Sequence, residues 1–169
     1  MAIAPDPEFP DKGRLIGIDY GTKRVGIAVS TGDRTISSPV EVYQRRNAAL
    51  DAKYFRELRQ EYRPVGLVVG LPIHVGGGEG STARHAREYG AWLSDTMKVP
   101  VTFWDERYTS VVADEYMLAV DMSRKKRKAR VDMLAAHVML QSYLEYQIAL
   151  AKKDEPQEED EPPPEGESL

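Results

Sequence analysis

The stretch "RLIGIDYGTKRVGIAVS" (14–30) reads as two apolar strands, 14–20 and 24–30, joined by a tight turn at Gly21. Its first strand ends on one acidic residue, Asp19. A carboxylate there does little for packing but is well placed to hold a cation or a phosphate-bearing ligand. A turn or cap role is the bland alternative for that one residue. Working outward, "TISSPVEVY" (35–43) predicts a third strand, near a sheet edge because of Pro39. Residues 47–62 carry apolar side chains at helical spacing (Leu50, Tyr54, Leu58, Tyr62) behind Asn47 as a cap. "VGLVVGL" (65–71) is a buried-strand run closed by Pro72, and "IHVGGGEGS" (73–81) a flexible loop. A helix over 82–97, a strand over 99–104 and a helix over 110–120 capped by Thr109 follow. "MSRKKRKAR" (122–130) reads as a basic connector and 131–150 as a long helix. This element order predicts an α/β protein of ribonuclease-H-like fold, a mixed five-stranded sheet flanked by helices.

The length of 169 residues suits one domain. The reading is a loose N-terminus (1–13), a folded body (14–150) and a disordered acidic, proline-rich tail (151–169), which lacks the apolar residues to offset its ordering entropy. No apolar window is long enough for a membrane span, and the N-terminus has no signal-type apolar core, so a cytoplasmic protein is expected. The absence of cysteine excludes disulfides, thiolate metal sites and a cysteine nucleophile. The net charge of −4 hides an asymmetry. Residues 152–169 set two lysines against eight acids, six excess negative charges, so the rest of the chain is positive by two. That body suits an anionic partner, with the tail either a solubility device or a nucleic-acid mimic.

Three places put carboxylates where packing prefers something else: Asp19, the pair Asp105 and Glu106 directly after the strand 99–104, and Asp132 at the start of the last helix. Eight of the ten residues 131–140 are apolar, so that helix should pack on the sheet, with Ala135 and Ala136 allowing close approach. In α/β sheets, functional groups gather beyond the carboxyl ends of strands. Asp19 and Asp105/Glu106 share that placement if their strands are parallel neighbours. Clustered carboxylates repel one another, and divalent cations that prefer oxygen remove that cost. Two such ions about 4 Å apart hydrolyse phosphodiesters by activating water and stabilising the leaving oxygen. Each acid has a structural alternative: a turn for Asp19, an Arg107 partner or cap for Asp105, the helix dipole for Asp132.

At this point the chain resembles the YqgF family, also called RuvX, described as Holliday junction resolvases and implicated in maturing the 5′ end of pre-16S rRNA. The motifs stand as "GIDYGTKRVGIAVS" (17–30), "VVGLP" (68–72), "DERYTS" (105–110) and "ARVDMLAAHVMLQSYL" (129–144), covering about residues 14–148. The resemblance implies a ribonuclease-H-like fold related to the RuvC resolvases. It also implies an acidic triad of Asp19, Glu106 and Asp132 binding Mg²⁺ or Mn²⁺, with Asp105 as a supporting or alternate ligand. One departure stands out: the family often has an Asn-rich or Asp-containing segment after Gly-Leu-Pro, and here that segment is "IHVGGGEGS", where His74 is either a solvent-facing loop residue or a replacement for an amide contact.

Around the acids lie cations suited to a nucleic-acid backbone. Lys23 and Arg24 flank the turn beside Asp19, with Thr22 as a further phosphate partner or turn cap. Arg84 follows the Gly-rich loop with His85 and Arg87, at a helix N-terminus that favours phosphate. Arg107 adjoins Glu106, and Tyr108 offers a ring for stacking or for the core. The run Arg124, Lys125, Lys126, Arg127, Lys128, Arg130 places six cations in seven positions. No base-reading motif is present, so recognition by backbone shape is expected. The expected function is a metal-dependent nuclease (a hydrolase of ester bonds) acting on structured RNA, most directly pre-16S rRNA in pre-ribosomal particles, or on branched DNA as a junction resolvase. A non-catalytic ribosome-assembly factor is the second class. An actin-like ATPase, whose phosphate motif shares Asp-x-Gly-Thr, is the third, but one short chain lacks that fold's second half. Monomer and homodimer both fit.

Overall fold

The computed structural model describes residues 8–72, 78–106 and 124–155. In chain order the elements are β1 (Leu15–Asp19), β2 (Arg24–Ser30), β3 (Ser37–Gln44), α1 (Ala48–Tyr62), β4 (Gly66–Leu71), α2 (Ser81–Met97), β5 (Val101–Asp105) and α3 (Arg124–Asp154). The strands form one sheet in the order β3-β2-β1-β4-β5. The hairpin β1–β2 and the pair β2–β3 are antiparallel, while β4 runs parallel to β1 and β5 parallel to β4. The expected mixed five-stranded sheet is therefore the observed one. The expected helix 110–120, with Thr109, Arg107 and Tyr108, lies outside the described residues, as do His74 in the loop and the tail beyond residue 155.

Strand alternation sorts the sheet into two faces. Ile16, Ile18, Val25, Ile27, Leu67 and Val69 pack with Phe55 and Leu58 of α1 and Tyr89, Leu93 and Met97 of α2. Leu15, Ala28, Val68 and Trp104 face the other way, against Ala136, Met139, Leu140, Tyr143 and Leu144 of α3. Asn47 caps α1 as its type predicts, its side chain accepting from Leu50 N. Pro39 sits on edge strand β3, where the register shifts opposite Ile27/Ala28.

α3 lies very close to the sheet because two of the strand positions beneath it are glycines. A Cβ at Gly17 would stand 2.8 Å from Leu140 Cβ, and one at Gly26 3.3 Å from Ala136 Cβ and from the Asp132 carbonyl oxygen. The contacts also give the helix its direction: Asp132 lies by Gly26 at the Asp19 end of the sheet, and Leu140 by Gly17 farther down. α3 thus descends from the carboxyl-end rim of the parallel strands. Two expectations need correction. Residues 122–130 are not simply a connector, since 124–130 form the first turns of α3. Residues 8–13 are not loose, since Phe9 fills the space a side chain at Gly66 would need and packs on the α3-side core.

Adding one methyl group at Gly17 should push α3 off the sheet. Gly17→Ala is expected to lower unfolding free energy by about 1–3 kcal/mol in urea titrations. Gly32→Ala, whose new Cβ meets nothing within 4 Å, should stay within about 0.5 kcal/mol of the parent.

Candidate active site

β1 and β5 are not neighbours, which corrects the simplest version of the sequence argument: β4 lies between them. The register places Ile18 beside Val69 and Gly70 beside Trp104, so Asp19, Gly70 and Trp104 lie level on the α3 face. Glu106, two residues past Trp104, returns to that face just beyond the strand. It then reaches Asp19 across the intervening strand, and only glycine at position 70 allows this. A Cβ there would collide with Glu106 Oε1 and stand 3.0 Å from its Cγ. Glycine inside an apolar strand marks such an approach. Asp105, by the same alternation, belongs to the opposite face with Phe103, and it is 1% exposed. It is therefore poorly placed as an alternate ligand and acts on Glu106 through its charge.

Asp19 and Glu106 share a hydrogen bond. Burial pushes the Glu106 carboxyl up to about 8, aided by the nearby Asp19 charge, the shared hydrogen bond and Asp105. Asp19 is also raised, first by burial; the bond from Glu106 opposes that shift and the Asp132 charge adds to it. Burial and neighbouring negative charge thus hold both carboxyls above their ordinary values, with a hydrogen bond between them. Asp132 flanks them from α3, where its Oδ2 lies 3.0 Å from Arg24 Nη2. The contact is charge to charge rather than an aligned hydrogen bond, and Oδ2 is covered while accepting none. Asp19, Arg24, Gly26 and Asp132 line a hollow of about 320 Å³ with the turn residues Gly21, Thr22 and Lys23.

The residues suit a hard divalent cation. The donors are all carboxylate oxygens, one of them covered without a donor, and a second carboxyl keeps its proton rather than ionise beside Asp19. Among the described residues no three acids or histidines already stand in a coordinating cluster. Asp19 and Glu106 meet, while Asp132 is engaged by Arg24.

The predicted cations divide into three groups. Lys23 is exposed on the turn, and Arg24, expected on nucleic acid, is occupied by Asp132. Arg84 is exposed in the first turn of α2, whereas Arg87 is bound to Glu79 at 2.8 Å and lies over the Phe103 ring. Lys125, Lys126 and Arg130 are exposed on α3 above the carboxylates, and Arg124, Arg127 and Lys128 continue the same helical turns. The sequence reading missed Gly70, the Arg24–Asp132 pair and Arg45, whose Nη1 donates to the carbonyls of Gly21 and Thr22 and fixes the turn beside Asp19. The glycine between two apolar pairs in "VVGLP" was the available signal for the first.

A family model described as RuvX, Holliday junction resolvase, matches residues 13–146. The chain belongs to the RuvX family. A relative from Rhodopirellula baltica is 43% identical over 137 residues, 81% of this chain and 79% of its own. One from Heliobacterium modesticaldum is 37% identical over 148 residues, 88% of this chain and 99% of its own. Both are provisionally named pre-16S rRNA nucleases. Among solved structures, Thermus thermophilus RuvC in complex with a Holliday junction substrate superposes with TM-score 0.51 at 15% identity, covering 79% of this chain and 96% of that one. A yeast mitochondrial Holliday junction resolvase gives 0.52 at 12% identity, covering 87% and 83%. These likenesses establish the ribonuclease-H-like fold of this RuvX-family chain. Among the described residues no helix is long and apolar enough to cross a membrane.

The raised Glu106 carboxyl sets a pH dependence with a definite sign. Between the ordinary value of 4.5 and about 8 the folded chain keeps a proton that the unfolded chain has lost. Stability of the metal-free protein should therefore be fully present below the lower value and fall as pH rises through the upper one, by on the order of 2–4 kcal/mol. Glu106→Gln should flatten that fall when denaturation midpoints are compared from pH 5 to 9.

Proposed function

We propose that this RuvX-family chain is a divalent-metal-dependent nuclease that cuts a phosphodiester bond of structured nucleic acid, with the 5′ end of pre-16S rRNA as its substrate. The observation that carries the reading is Glu106 reaching over Gly70 to meet Asp19, with Asp132 alongside. Three acids from β1, the end of β5 and α3 converge on one rim, at a cost in repulsion that folding alone gives no reason to accept. The names of the relatives favour an rRNA precursor.

Asp19, Glu106 and Asp132 would hold Mg²⁺ or Mn²⁺. When bound, such an ion supplies an activated water and neutralises charge on the scissile phosphate. Asp19 and Glu106 would serve it as anionic ligands in place of the hydrogen bond between them. Asp132 would then turn from Arg24, whose guanidinium would be available to a phosphate oxygen beside the turn. Arg45 holds the Gly21 and Thr22 carbonyls and so fixes where Lys23 and Arg24 emerge. Lys125, Lys126 and Arg130 grip the backbone flanking the cut without reading bases. The action is cytoplasmic, on pre-ribosomal particles.

The family description and the resolvase likenesses favour a second substrate, a four-way DNA junction. Symmetric cutting of a junction requires two active sites, so a monomer in solution would argue for the rRNA role.

Asp19→Asn, Glu106→Gln and Asp132→Asn should each lower cleavage at least roughly 100-fold while leaving substrate affinity within a few-fold. Gel assays on an rRNA precursor fragment and a four-way junction, each with Mg²⁺, Mn²⁺ or chelator, check this. Full activity of Asp19→Asn, or cleavage undiminished in chelator, would remove the carboxylates from the reaction. Replacing Lys125 and Lys126 together by alanine should reduce the slope of log affinity against log salt by about 2.

A further inference from the structure

A second hollow of about 590 Å³ opens on the far side of the β1–β2 turn from the carboxylates. The two hollows share Thr22 and Lys23, so a surface path runs from one to the other over the turn. Lys23, Arg45, Arg46, Asn47, Tyr89 and Trp92 form its working walls. Its one acid, Asp51, is already engaged, accepting from Tyr43 Oη at 2.6 Å and from Arg46 N at 3.0 Å. What the hollow offers a ligand is therefore cationic. It is also flat: the Arg45 guanidinium lies 4.7 Å from the Tyr89 ring centroid, and Tyr89 stacks on Trp92 at 5.6 Å.

Two observations point independently to a ligand. The first turn of α1 opens here; Asn47 Oδ1 already accepts from Leu50 N, so it is the amides of Ala48 and Ala49 that favour an anion. Separately, Tyr89 is only 7% exposed and lines the hollow, yet its hydroxyl has no hydrogen-bond partner. A buried hydroxyl left unpaired is costly, and a partner arriving with a ligand removes the cost.

We propose that this hollow is a nucleotide subsite, taking one nucleoside phosphate unit of the strand whose neighbouring phosphate lies on the carboxylates. Arg46, Lys23 and the start of α1 hold the phosphate. The base lies against the Arg45 and Trp92 faces, and Tyr89 Oη bonds to the sugar or base edge. The volume suits a nucleotide, and stacking of this kind tolerates any base, in keeping with recognition without sequence reading. The inference rests on the nuclease reading for its strand and goes beyond it in naming where an unpaired flank runs.

The test uses the full chain carrying Asp19→Asn, which keeps the strand intact during titration. The probes are a labelled RNA hairpin with a single-stranded flank, the same hairpin without the flank, and 5′-AMP. Arg46→Ala should weaken the flanked hairpin about fivefold or more and reduce its salt slope by about 1. Tyr89→Phe should weaken it about threefold to tenfold with no loss of melting temperature, because the hydroxyl holds nothing in the protein. The unflanked hairpin should respond to neither. Unchanged affinity and salt slope for the flanked hairpin in both variants overturns the subsite. So does sensitivity confined to 5′-AMP, which would make the hollow a free-nucleotide site. If Tyr89→Phe lowers melting temperature, Arg46→Ala decides alone. Binding effects as expected without cleavage in any divalent ion would sink the nuclease reading and leave the subsite standing. Cleavage without those effects would do the reverse.

Discussion

Two carboxyl groups cannot both ionise when buried within hydrogen-bonding reach, and the Asp19–Glu106 contact is built on that constraint. Both carboxyls are pushed up, so that a hydrogen bond between them replaces the repulsion of two charges in the metal-free fold. Everything that brings the pair together is paid for elsewhere in the sheet. Gly70 gives up a side chain in a fully buried strand, and the rim of β5 ends on two successive acids, one of them sealed in the core. A purely structural role would be served better by apolar residues at all of these positions.

The third acid comes from an element that is last in the sheet's surroundings yet first in its effect on the site. α3 carries Asp132 to within reach of Asp19 only because Gly17 and Gly26 let its backbone settle on β1 and β2. Farther along, Gln141 accepts from Ser37 N at 2.8 Å, and His137 Nδ1 lies 3.1 Å from Ser37 Oγ, so the helix is also tied to the edge strand β3. The position of Asp132 is thus fixed by a long packed interface rather than by local structure around it. Its pairing with Arg24 supplies a counter-charge in the metal-free state from the strand directly beneath.

Much of this was legible in the sequence. The strands and helices follow from period and capping: the apolar runs at 15–19 and 66–71, the cap at Asn47, the edge position forced by Pro39. Asp19, the pair Asp105 and Glu106, and Asp132 stood out as acids where packing prefers apolar residues, and only the family resemblance picked Glu106 from its pair. The rest depended on relations that no local pattern encodes. Strand order is one: the insertion of β4 between β1 and β5 turned an expected neighbour contact into a crossing over Gly70. Side-chain choice is another, since Arg24 could serve solvent, phosphate or Asp132 and only the packed helix decides. The hollow at Arg45–Asn47 draws residues from β3, α1, α2 and the turn, none of them unusual in its own segment.

The placement of charge on α3 argues for its use. A helix favours anions at its N-terminus and cations at its C-terminus, by about 0.3–1 kcal/mol per charge. Lys152 and Lys153 in the last turn obey this rule. The run at 124–130 opposes it, stacking six cations on the end that carries the positive dipole, with no acid in the first turn to relieve them. A connector meant only for solubility has no reason to be helical there, or to repel itself against the dipole. In the proposed complex nucleic-acid phosphate would remove both costs at once, because the backbone charge would neutralise the run and meet the helix end in its favourable sense. Asp132, about two turns below, then faces a terminus whose charge has been answered from outside. On the proposed reading, the same helix would couple the arrival of the polyanion to the electrostatics of the acids.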